Sequence, residues 1–192
     1  TEHEWFQKAL AGDNYYQDFF FLRDEPTDWL SKFGGSAWAP FGDTGKDYLH
    51  LYDVTQADLN WHNPRVREEL FKVVHFWLDK GVKGFRFDVI NVIGKDEILE
   101  NCPENDGKPA YTDRPIVHEY LHMLNEETFG TDEAIMTVGE MSATNIENCI
   151  LYTAPERHEL SMAFNFHHLK VDYENGKKWT LKNFDFEELK RL

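Results

Sequence analysis

Hydrophobic positions change their rhythm partway along the chain. From Asn63 onward a helical spacing sets in, with Val66, Leu70, Val73, Val74, Trp77 and Leu78 recurring every three or four residues. Pro64 suits a first helical turn, where its missing N–H would have no intrahelical partner, and Gly81 ends the run. Val82 to Val89 is a short apolar stretch with alternation, which predicts a strand. Pro115 opens a second helix that places Val117, Tyr120, Leu121, Leu124 and Thr128 on one face and closes at Gly130. A strand is expected at Ala134 to Val138, a helix near Asn145 to Tyr152 and a strand at Leu160 to Phe166. Asp185, with Glu188 three residues on, resembles a helix-opening capping box. Residues 1–60 show no such period. Turn clusters such as Gly34-Gly35-Ser36 and Gly42-Asp43-Thr44-Gly45 punctuate short runs such as Phe19 to Leu22, and the reading is an irregular region with short hairpins.

Helix and strand alternate through the second half with short connections. That pattern argues for parallel strands with crossover helices, as in a barrel or an open α/β sheet. About three core strands are visible, whereas a barrel of this class needs eight. Residue 1 has no start-like character and Leu192 falls inside an expected helix, so the chain reads as a segment of a longer protein. It contains no internal repeat and no low-complexity tract.

Composition narrows the function classes. Apolar residues make up 41% and aromatics 15% of the 192 residues, enough for a sizeable core and unlike a disordered chain. The formal charge of −15 disfavours broad binding to nucleic-acid backbones or anionic lipid, while leaving room for a small anionic substrate in a local basic pocket. Cys102 and Cys149 are too few for a disulfide scaffold and lack metal-ligand spacing, so two plain thiols in a reducing compartment are expected. No stretch approaches about 18 consecutive apolar residues. The expectation is a soluble cytoplasmic protein with no membrane or nucleic-acid partner.

Candidate chemistry concentrates at two strand ends. In Gly84-Phe85-Arg86-Phe87-Asp88-Val89, alternation sends Phe85 and Phe87 to one face and Arg86 and Asp88 to the other. A cation beside Asp88 favours the ionised carboxylate, which suits a nucleophile; a structural ion pair would leave the same pattern. In Met136-Thr137-Val138-Gly139-Glu140-Met141 a carboxylate ends an apolar strand. An apolar surround would keep Glu140 protonated as a general acid requires, although a surface glutamate in a turn fits the spacing too. Together the two carboxyls fit a glycosidase, retaining at about 5–5.5 Å separation and inverting at about 6.5–9.5 Å.

These two stretches, with Gln56-Ala57-Asp58-Leu59-Asn60-Trp61, resemble three signature regions of glycoside hydrolase family 13, the α-amylase superfamily. The resemblance covers essentially all 192 residues. It implies an α/β fold in which residues 1–60 are most of an irregular domain B and residues 61–192 are the central part of a TIM (β/α)8 barrel, about strands four to six, incomplete in this chain. It also implies a retaining mechanism with Asp88 as nucleophile, Glu140 as general acid/base and Arg86 orienting Asp88. The family's earlier Asp/His motif and its third catalytic carboxylate have no counterpart here, so the segment alone is expected to be inactive.

Within the family, Val89 after the nucleophile is similar to the α-glucosidase branch. Tyr16 to Phe21, Ser31 to Trp38, Leu51 to Trp61, Val138 to Thr144 and Phe164 to Tyr173 are similar to members acting on a phosphorylated α-linked disaccharide. The resemblance thus implies hydrolysis of trehalose 6-phosphate to glucose and glucose 6-phosphate. The alternatives are an oligo-1,6-glucosidase or dextran glucosidase acting on neutral isomalto-oligosaccharides, or a sugar-binding relative without activity.

A phosphate in so acidic a molecule needs local cations. His167, His168 and Lys170 follow an expected strand end, with Lys177 and Lys178 beyond; a solvated basic turn is the competing reading. Phe33, Trp38, Trp61 and Phe164 are candidate walls of a sugar pocket, Trp61 and Phe164 foremost, while most other aromatics are core. Asn60 is expected to fix the domain B junction rather than touch substrate. No metal or cofactor is expected, since neighbouring histidines on a strand end point apart.

Overall fold

The computed structural model describes residues 1–174 and 177–191, without the side chains of His167 and residues 177–179. Two short helices open the chain, α1 (Glu4–Leu10) and α2 (Asn14–Gln17), where the sequence suggested only hairpins and irregular backbone. They run seven and four residues, too few to display a period, and side-chain caps start them: His3 accepts from Trp5 N at 3.2 Å and Asp13 from Tyr15 N at 2.9 Å. Three short antiparallel strands follow, β1 (Leu22–Arg23), β2 (Trp38–Pro40) and β3 (Asp47–Leu49), in the order β1-β3-β2. Phe6 is the centre of the core beneath them. Its ring meets Phe20, Phe41 and Tyr48 edge-on at 5.2, 5.3 and 5.0 Å, the arrangement that aromatic quadrupoles favour.

The helix from Pro64 forms as expected, α3 (Pro64–Asp79), with Asn63 accepting from Arg65 N. Next come β4 (Gly84–Phe87), α4 (Pro115–Glu127), β5 (Met136–Met141), α5 (Ile146–Thr153) and β6 (Met162–Asn165). The three strands are parallel and lie in chain order, so α4 and α5 are the crossovers that the alternating pattern predicted. A small hairpin, β7 (Tyr173–Glu174) and β8 (Lys177–Leu181), and α6 (Phe186–Lys190) complete the described chain. Asp185 caps α6 by accepting from Glu188 N at 2.8 Å, the first half of the expected capping box. Leu192 lies outside the described residues.

Strand limits differ from the sequence reading for local reasons. Asp132 accepts from Ala134 N through its side chain and from Ile135 N through its carbonyl, so residues 132–135 are a turn and β5 begins at Met136. Glu140 therefore lies within the ladder, opposite Phe164, rather than beyond its end. Val82 N still bonds Trp77 O behind α3, and Val89 is left-handed at φ 44°, which confines β4 to four residues. β6 is likewise shorter than expected, at residues 162–165.

The parallel sheet has two unlike faces. Phe85 and Phe87 stack at 6.1 Å and pack with Phe129 against a core of Val74, Val117, Leu121, Leu124 and Met141. The register places Arg86, Val138, Glu140 and Phe164 on the opposite face. A third cluster, including Trp29, Leu49, Leu51, Val92 and Tyr111, joins the N-terminal region to the segment following β4.

Leu121 is fully buried where the two crossover helices meet the sheet. In the full-length protein Leu121→Ala should lower stability by about 2–5 kcal/mol in chemical denaturation. A loss under about 1 kcal/mol would contradict this placement of the core.

Candidate active site

Alternation in β4 brings Arg86 and Asp88 to one face, and the parallel register brings Glu140 alongside. The Arg86 guanidinium donates through Nη1 to Asp88 Oδ1 at 2.7 Å and through Nη2 to Glu140 Oε2. One cation thus bridges both candidate carboxylates. Their surroundings differ sharply: the Asp88 side chain is 71% exposed and that of Glu140 14%. Burial, then hydrogen bonding and like charge from Asp88, hold the Glu140 carboxyl above the usual carboxylate range, with Arg86 offsetting part of the effect. Gly139 permits the close packing behind this strand, since a Cβ there would lie 2.7 Å from Leu160 Cδ1 and Met141 Cε. Such an arrangement can supply an accessible nucleophile beside a carboxyl that holds its proton more tightly than an ordinary one.

Aromatic rings surround the pair unevenly. Arg86 Cζ lies 5.7 Å from the Phe164 ring centroid, which places Phe164 against the bridging cation. Trp61 is mostly buried, lies 5.7 Å from Tyr120, and lines with Asp88, Tyr52 and Val92 a cavity of about 260 Å³. Phe33 is exposed and meets Tyr52 edge-on at 5.7 Å. Trp38 is not a pocket wall. It is buried in the third cluster with its indole N–H donating to Thr27 Oγ1 at 2.9 Å. A larger cavity, about 470 Å³ between α2, Asn60 and Arg65, contains neither Asp88 nor Glu140, so chemistry rather than size selects the site. Asn60 ties the stretch before α3 to Phe19: its N–H donates to Phe19 O at 2.8 Å, and its side chain accepts from His62 N at 3.1 Å.

The basic turn after β6 is partly placed. His168 and Lys170 are exposed, and the His167 side chain lies outside the described residues, as do those of Lys177 and Lys178. Sequence reasoning missed a second, half-buried cation. Lys32 donates to Ser142 Oγ at 2.8 Å and sits over the Tyr111 and Tyr52 rings at 5.3 and 5.9 Å. Burial, then repulsion from Lys108 and Lys170, lowers its pKa to about 8. Tyr52 was missed too. Its buried hydroxyl has no hydrogen-bond partner among the described residues, and burial with the charges of Asp58 and Asp88 pushes its pKa up. Ser31-Lys32-Phe33 and Leu51-Tyr52-Asp53 flank the glycine-rich turn and the signature stretch, the one signal available for either residue. Among the described residues no group of three or more His, Cys, Asp or Glu side chains is arranged to hold a metal ion, and no helix is long and apolar enough to cross a membrane. Both cysteines are free.

The parallel βαβ sheet carries two carboxylates bridged by arginine, an arrangement compatible with glycoside hydrolysis, and the chain belongs to the alpha amylase catalytic-domain family, whose sequence model matches residues 1–192. Trehalose-6-phosphate hydrolase of Bacillus subtilis (strain 168) is 52% identical over 199 residues, covering all of this chain and 35% of that protein. The crystal structure of Bacillus licheniformis trehalose-6-phosphate hydrolase superposes with a TM-score of 0.92 at 54% identity, over the whole chain and 36% of its own length. Oligo-1,6-glucosidase of Parageobacillus thermoglucosidasius is 43% identical over 99% of the chain and 36% of that protein. The chain spans about a third of the relatives it matches.

The raised Glu140 carboxyl carries a sign for stability. The unfolded chain releases this proton at lower pH than the folded one, so wild-type stability falls as pH rises from the ordinary carboxylate range through the raised folded value. Glu140→Gln removes that dependence. Denaturation of both full-length proteins between pH 4 and 8 should show the difference moving in favour of the glutamine variant as pH rises. A flat or reversed difference would contradict the assignment.

Proposed function

We propose that these residues form part of a retaining α-glucosidase that hydrolyses trehalose 6-phosphate to glucose and glucose 6-phosphate. The observation that carries the reading is the Arg86 bridge between an exposed Asp88 and a half-buried Glu140 whose carboxyl is held above the usual carboxylate range. Glu140 donates its proton to the glycosidic oxygen while an Asp88 oxygen attacks the anomeric carbon, so glucose 6-phosphate leaves and a glucosyl ester forms on Asp88. Glu140, now a carboxylate, takes a proton from water as the water oxygen attacks the same carbon; the ester bond breaks and glucose departs with its configuration retained.

Substrate choice rests on likeness and charge. Identity is 52% to the Bacillus subtilis trehalose-6-phosphate hydrolase and 43% to the oligo-1,6-glucosidase. Lys170, with Lys32 close enough to feel its charge, would supply cations for a phosphate in a chain of net charge −15, and His168 would add a hydrogen-bonding ring. Trp61 and Phe164 are the proposed aromatic contacts for the sugar, and His167 is the remaining candidate for the phosphate. Residues 1–60 would be most of domain B and residues 61–192 the centre of an eight-stranded barrel, so the segment alone would be inactive. A charged disaccharide is retained by the cell membrane, and two free thiols suit a reducing compartment, which together favour the cytoplasm.

Glucose release by the full-length protein from trehalose 6-phosphate and from isomaltose tests the reading. The phosphorylated substrate should win in kcat/KM by about tenfold or more, a margin of about 1.4 kcal/mol. Preference for isomaltose would make the enzyme a neutral-substrate glucosidase. Asp88→Asn should abolish turnover of either substrate without unfolding the protein; unchanged turnover would remove Asp88 from the mechanism. Lys170→Ala should raise KM for trehalose 6-phosphate while leaving hydrolysis of a neutral aryl α-glucoside unchanged. Equal effects on both would overturn its phosphate role.

A further inference from the structure

The ladder between β4 and β5 stops one residue short of the chemistry. Its last partners are Phe87 and Gly139, so Asp88 itself has no partner residue in the ladder. Directly after Asp88 the chain turns through Val89 at φ 44°, ψ 43°, a left-handed conformation that a β-branched residue adopts only where its surroundings impose it. The turn leads into the short 3-10 helix Ile90–Val92.

Asn91, in the middle of that 3-10 helix, is 0% exposed and uses both N–H groups and the oxygen of its amide. Its Nδ2 donates to Ser142 O at 2.8 Å and to Asp113 Oδ1 at 2.9 Å, and its Oδ1 accepts from Ser142 N at 2.8 Å. The backbone carbonyl of Asn91 also accepts from Asp113 N at 3.0 Å. Only one amide orientation satisfies these partners, since nitrogen must face the carboxylate and the carbonyl while oxygen faces the N–H. Asp113 is itself fixed by Tyr152 Oη at 2.9 Å and Asn148 Nδ2 at 2.8 Å. Ser142 lies two residues beyond Glu140, and Asn91 three beyond Asp88. The side-chain amide thus exchanges two hydrogen bonds with one residue, Ser142, just past the end of β5.

We propose that Asn91 is the positioning residue that sets the distance between the two carboxyl groups, by tying the turn after the nucleophile to the end of the strand carrying the acid. It touches no substrate and acts through Asp88 and Glu140, so the inference rests on their being the catalytic pair. The constraint matters because retention needs a carboxyl separation of about 5–5.5 Å and a misplacement of about 1 Å can cost about 10²-fold in rate.

The experiment compares wild type, Asn91→Ala and Glu140→Gln in the full-length protein, with kcat expressed per active site titrated by a mechanism-based inactivator. Asn91→Ala should lose about 10²-fold in kcat with KM changed less than threefold. The basic limb of its pH–rate profile should move to lower pH, because Glu140 no longer has Asp88 held beside it against the opposing pull of Arg86. A variant that merely loosens the fold would lower the melting temperature and the titrated fraction but move neither quantity. Unchanged kcat per site and an unchanged basic limb overturn the proposal whatever happens to the melting temperature. If Asn91→Ala does not fold, Asn91→Ser, which keeps a hydroxyl but cannot reach both groups of Ser142, is read the same way. Full turnover in Glu140→Gln would instead overturn the catalytic pair and the clamp with it; loss of turnover there with normal Asn91→Ala kinetics would overturn the clamp alone.

Discussion

Everything about the site depends on one guanidinium lodged between two carboxylates. Asp88 is near enough to disfavour the charge of Glu140, and Arg86, bonded to both carboxylates, offsets part of that effect on Glu140. Burial then breaks the symmetry. Glu140 is enclosed on its strand and keeps its proton more readily, whereas Asp88 stands in the open at the strand's tip. Two chemically similar groups acquire different surroundings from where the backbone places them.

The fold supplies that placement through packing on the far side of the sheet. Phe85 and Phe87 point into the helix-covered core, which obliges Arg86 and Asp88 to point out of it. Gly139 lets Leu160, Met141 and Ile90 close up behind β5, so the strand bearing Glu140 is seated without a side chain in the way. The region before α3 adds a second wall. Its buried cluster reaches across to Val92 and Tyr111, bringing Tyr52 into the cavity that Asp88 lines and Lys32 to Ser142.

How much of this could be read from the sequence follows from the range of each signal. Arg86, Asp88 and Glu140 were visible because strand alternation is a two-residue rule and each carboxylate ends a recognisable apolar run. The limits of β5 were not, because Asp132 satisfies Ile135 N with a turn that an apolar count treats as strand. α1 and α2 were hidden by their brevity. Trp38 was misjudged as a wall since an indole beside a glycine-rich turn looks the same whether it faces sugar or core; only its bond to Thr27 decides. Lys32 and Asn91 were invisible for a different reason: their partner, Ser142, lies 110 and 51 residues away, and no local pattern encodes such a meeting.

The central claim is that Asp88, kept accessible and paired with Arg86, forms a covalent bond to the sugar. Mass spectrometry of the full-length protein, quenched during turnover of a fluorinated α-glucosyl fluoride that slows the second step, reads this directly. The account predicts one added glycosyl group, located by fragmentation on the peptide containing Asp88 and on that carboxylate. An adduct on any other residue, or rapid turnover of the reagent with inverted product and no adduct, would contradict it.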